Sequence, residues 1–80
     1  MSRIKEIREK NNLSQSQLAE KMCISIRTLQ AYEQNQRDLS IAKFDVVLKA
    51  CVALNCTLKE MFEDDENISD LIKEYEKEQQ

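Results

Sequence analysis

Eighty residues, 41% hydrophobic and 34% charged, bound a single small folding unit. There is no glycine and no proline, so the turn residues on which a small β-protein depends are missing and an all-α fold is expected. The net charge of −3 is unevenly spread: residues 1–43 carry eight basic and five acidic side chains, and residues 44–80 carry four and ten.

A first helix is expected over residues 3–11, with Ile4 and Ile7 on one side and Arg8 beside them. Asn11-Asn12 ends it, since asparagine tolerates the left-handed backbone that glycine usually supplies. Ser14 opens a second helix through a capping box with Gln17, and Leu13 with Leu18 has staple spacing. Leu18, Ala19 and Met22 form its buried stripe. Ser25 opens a third helix after the tight joint Met22-Cys23-Ile24, and Ile24 with Leu29 repeats the staple. Leu29 and Tyr32 point inward, and Asn35 is a second left-handed stop.

Ser40 is expected to open the fourth helix, with Leu39 and Phe44 as its staple. Phe44, Val47, Leu48, Cys51 and Leu54 give it one apolar face, and Asn55 ends it. Thr57 and Glu60 form another capping box, starting a short fifth helix over Leu58 to Phe62, with Cys56 and Met61 as its staple. The run Glu63 to Glu66 is a linker or a first helical turn. Asn67 is expected to cap a sixth helix through about Glu78, with Ile68, Leu71, Ile72 and Tyr75 at i, i+3, i+4 and i+7.

Two features exclude function classes. Cys23, Cys51 and Cys56 stand without histidine and without a CxxC pair, so no metal site is expected; Cys51 and Cys56 read as small apolar fillers. No apolar run approaches ~20 residues and no signal core opens the chain, which makes a cytoplasmic location the expectation and a membrane partner an unsupported one.

The stretch Leu13 to Arg37 organises the chain: two short helices joined so closely must brace each other and leave one face of the second outward. Leu13-Ser14-Gln15, Leu18-Ala19-Glu20-Lys21-Met22, Ile24-Ser25, Thr28-Leu29, Tyr32-Glu33 and Leu58-Lys59-Glu60-Met61-Phe62 together resemble the Cro/C1-type helix-turn-helix family, also called the XRE family. The resemblance runs from about Arg3 to Phe62. It implies a five-helix lambda-repressor-like bundle over residues 1–62 and says nothing of residues 63–80, which the residues themselves give as an acidic linker and a C-terminal amphipathic sixth helix. It also implies a double-stranded DNA partner, a homodimer on a palindromic site, and a transcriptional regulator, for which a repressor is the leading expectation. In that picture the third helix, about residues 26–35, reads the major groove.

Carried over by position, Ile26, Arg27, Gln30 and Ala31 match residues that face base edges. Gln15, Ser25, Thr28, Asn35 and Arg37 match residues that meet the DNA backbone. Arg8 and Glu33 match an internal salt bridge. The chain departs from the family at Cys23 and Asn35, where glycine is common, at Asn55, and at Leu39, where proline is frequent. The resemblance is silent on the stripe Ile68, Leu71, Ile72 and Tyr75. It either folds back on its own chain or packs on a twofold-related copy, and dimer contact is the favoured expectation. The alternative function is an antitoxin-like interaction module whose acidic C-terminal helix, residues 63–80, covers a partner protein. An enzyme is the weakest reading, because no nucleophile–base arrangement, phosphate-binding glycine loop, cofactor motif or small-molecule site is legible.

Overall fold

The computed structural model describes residues 2–78. Among these residues the chain is helical, in the order α1 Ile4–Lys10, α2 Gln15–Met22, α3 Ile26–Glu33, a 3₁₀ turn Leu39–Ile41, α4 Phe44–Leu54, α5 Leu58–Met61 and α6 Glu66–Glu78. Each of the first four helices ends the same way. Asn12, Cys23, Asn35 and Asn55 take positive φ of 57°, 58°, 60° and 50°. The residue after each donates its backbone N–H five residues back, as in Ile24 to Ala19 O at 3.0 Å and Cys56 to Cys51 O at 3.0 Å. These pairs satisfy carbonyls the helix end would leave open, and they turn the chain sharply without glycine.

The starts are equally specific. Ser14 accepts from the Gln17 amide while Gln17 Oε1 accepts from the Ser14 amide at 2.8 Å. Thr57 and Glu60 make the same reciprocal pair. Ser25 accepts from the Thr28 amide at 3.1 Å. α2 is the central element, packed on both α3 and α4, and its Leu18, Ala19 and Met22 are buried. Around them lie Ile4, Ile7, Leu29, Tyr32, Leu39, Val47, Ala50, Cys51, Leu54, Met61 and Phe62. Ala19 keeps the helices close, and burial of this apolar surface is what holds such short helices in place.

The fourth helix begins later than its sequence suggests. Asp38, not Ser40, is the capping residue here: its carboxylate accepts from the Ser40 amide at 2.9 Å and the Ser40 hydroxyl at 2.7 Å, which sets a single 3₁₀ turn. α4 then starts at Phe44 behind Lys43, with no side-chain cap. That start turns Phe44 outward, 68% exposed, and leaves Leu48 39% exposed, so neither belongs to the core face; Val47, Ala50, Cys51 and Leu54 do. Cys51 is buried and Cys56 half-buried. Burial pushes the Cys51 thiol up to about 12 and raises Cys56 as well, so both behave as small apolar groups rather than as thiolates.

The sixth helix also begins elsewhere. Asp65 rather than Asn67 caps it, accepting from the Ile68 amide at 3.2 Å. Its apolar stripe divides: Ile68 and Ile72 pack on the core of their own chain, while Leu71 and Tyr75 are 60% and 64% exposed. Arg3 secures the corner beneath α6. Its backbone N–H donates to Met61 O at 2.8 Å, and its guanidinium pairs with Glu6 and Glu63 at 2.9 Å each.

Candidate nucleic-acid interface

The orientation of α3 is set locally. The left-handed Cys23 ends α2, a single residue, Ile24, intervenes, and the extended Ser25 restarts the helix. Leu29 and Tyr32 fasten one side of α3 to the core, so Ile26 and Arg27 must lie on the other side; both are exposed, Ile26 by 43%. Gln30 and Ala31 are half-buried at the edge of that face.

A polar cluster ties the start of α2 to the end of α3. Arg8 donates from Nε to Glu33 Oε2 at 2.6 Å and from Nη2 to Oε1 at 3.1 Å. Its Nη1 donates to Leu13 O at 2.9 Å, fastening the turn between α1 and α2. The Glu33 side chain is only 2% exposed and that of Arg8 11%, so the pair is desolvated and held by fixed geometry. The carboxylate also makes the Arg8 guanidinium hold its proton more tightly than usual. Gln15 Nε2 donates to Glu33 Oε1 at 3.0 Å, and Gln30 Nε2 donates to Gln15 Oε1 at 3.1 Å. Gln15 and Gln30, assigned from sequence to different roles, are thus neighbours in one chain of hydrogen bonds.

The remaining site residues fall beside α3. Ser25 and Thr28 share a hydroxyl–hydroxyl hydrogen bond of 2.9 Å at the first turn. Thr28 and Arg37 line one open hollow together with Lys43 and Ile41. Asn35 and Arg37 line a second with Ser2 and Asp38. Arg27, Arg37 and Lys43 are exposed cations. This side therefore offers hydroxyls, amides and positive charge around the outward face of α3. It offers no cluster of three or more His, Cys, Asp or Glu side chains able to hold a metal among the described residues.

With that geometry in view, comparison with known families is decisive. The helix-turn-helix family model of the Cro/C1 type matches residues 4–61. This chain belongs to the Cro/C1-type helix-turn-helix family. It is a DNA-binding transcription regulator of the XRE type. Comparisons with curated proteins and with solved structures gave no match.

Within this XRE-type domain, α2 and α3 are the helix-turn-helix pair. The family's common glycine after the first of them is Cys23 here, and its backbone still adopts φ 58° and ψ 39°. Lys43, which lines the hollow with Thr28 and Arg37, was not among the residues singled out from sequence. A helix opened by Ser40 would place that lysine within its first turn, whereas the actual start puts it at the N-cap of α4. A cation at the positive end of a helix is locally unfavourable. That arrangement, with no Ser, Thr, Asp or Asn at the cap, was the signal available. The described helices include none long and apolar enough to cross a membrane.

Proposed function

We propose that the protein is a sequence-specific repressor that binds a palindromic operator as a homodimer, with α3 in the major groove. The observation that carries this is the composition and exposure of the outer α3 face, held by a buried ion pair and two serine-set helix starts. Arg27 has the fork that matches O6 and N7 of guanine, a contact that discriminates by ~1–3 kcal/mol. Gln30 suits adenine, and Ile26 and Ala31 suit thymine methyls. Gln15, Ser25, Thr28, Asn35 and Arg37 hold the backbone phosphates, and Lys43 adds charge beside Thr28 and Arg37. Residues 1–62 are the reading domain.

Residues 63–80 bring two copies together. Leu71 and Tyr75 stay exposed once Ile68 and Ile72 have packed inward, and Phe44 extends the same hollow. Three large apolar groups on one face of so small a domain mark an interface. No residue of the proposed site does chemistry; the protein acts by occupancy, in the cytoplasm.

Replacing Arg27 by Ala tests the reading. Specific affinity is expected to fall by roughly 10-fold or more while affinity for random DNA falls far less. An equal fall in both makes Arg27 a phosphate contact, and no fall in either puts Arg27 outside the interface.

A further inference from the structure

We infer that Glu33 sets the base preference of Gln30 from a distance, through Gln15, and that Gln15 is therefore a specificity residue as well as a backbone contact. The inference rests on the reading that Gln30 faces a base. It follows from the direction of the hydrogen bonds. Glu33 is a carboxylate paired with Arg8 through both oxygens, so it only accepts. Gln15 must then turn its amide nitrogen to Glu33, which it does at 3.0 Å, and its oxygen away. That oxygen in turn accepts only from a donor, so Gln30 must turn its own nitrogen to Gln15, as it does at 3.1 Å. One buried charge thereby fixes the orientation of two amides in series.

The consequence lies at the tip of Gln30. One amide hydrogen is committed to Gln15, so the carbonyl oxygen and one N–H remain for the groove. A fixed oxygen accepts from the N6 amine of adenine while the free N–H donates to N7. The same oxygen faces O6 of guanine as acceptor against acceptor, which is repulsive. A free glutamine can rotate its amide and offer donors to guanine; one held by this relay cannot. Adenine is chosen over guanine by exclusion as well as by attraction.

The test is selection from random duplex DNA with the full chain, read as base preference at each position. Three proteins are compared: the unmodified chain, Gln30→Ala and Gln15→Met. Gln15→Met keeps the Arg8–Glu33 pair and the length of the side chain. Gln30→Ala is expected to flatten one position in each half-site. Gln15→Met is expected to lower adenine-over-guanine preference at that same position by roughly 10-fold, with guanine newly accepted and the other positions unchanged. Lost phosphate contact alone would weaken binding evenly and leave the profile intact. Retention of adenine preference within about two-fold in Gln15→Met overturns the relay while base reading by Gln30 stands. A profile unchanged by Gln30→Ala overturns the base reading itself, and the relay with it.

Discussion

Asn12, Cys23, Asn35 and Asn55 hold the left-handed backbone at the ends of four consecutive helices. For the three asparagines this was legible in the sequence, because their short amides lower the cost of positive φ. Cys23 has no such help, and its strain sits at the joint that aims α3. Cys23→Gly is expected to raise stability by about 1 kcal/mol, or Tm by about 5 °C, measured by thermal unfolding. An unchanged Tm would show the turn to be unstrained. Arg8→Ala is expected to cost about 3 kcal/mol, because it leaves the Glu33 carboxylate buried and unpaired; chemical denaturation reads this directly. The pair itself could be expected from family position alone. Its extension through Gln15 to Gln30 could not, since the partners are 18 and 15 residues apart and meet only through the crossing of α2 and α3.

Among the elements, the starts of α2, α3 and α5 were legible because a hydroxyl residue and its bonded amide lie three residues apart in each. The starts of α4 and α6 were not. An upstream aspartate takes the capping role from the residue that local rules favour: Asp38 draws Ser40 into a separate 3₁₀ turn, so that α4 starts later, and Asp65 replaces Asn67 at the start of α6. The choice depends on how Leu39 and Ile68 must point to reach the core, which is tertiary information. The capping box of α5 also makes a pH prediction. Donation from the Thr57 backbone and hydroxyl holds the Glu60 carboxyl below its ordinary 4.5. A carboxylate depressed on folding stabilises above its unfolded value, and that stability is lost as pH falls through the folded one. Thermal melts should therefore drop between about pH 5 and pH 3. Glu60→Gln, which keeps the reciprocal hydrogen bonds without the charge, should flatten that drop; an equally steep profile would remove Glu60 from the acid response.

For the whole molecule, the fold class followed from composition and cap grammar, and the helix-turn-helix assignment from the pattern spread over Leu13 to Phe62. How the C-terminal stripe is shared did not follow. A one-face pattern cannot tell which of its members a neighbouring helix will cover, and here Ile68 and Ile72 are covered while Leu71 and Tyr75 are not. The proposed dimer rests on that exposed remainder with Phe44. Joint replacement of Leu71 and Tyr75 by Asp is expected to convert a dimer into a folded monomer in sedimentation, with Ile68 and Ile72 still holding α6 in place. An unmodified chain that sediments as a monomer would instead turn this face toward a different protein, as in the antitoxin-like alternative. The most direct measurement of the central claim is selection of bound sites from random duplex DNA by the full chain. The account predicts one enriched palindrome with half-sites about 10 base pairs apart, centre to centre. Recovery of sequences with no common motif, at the affinity of random DNA, would contradict it.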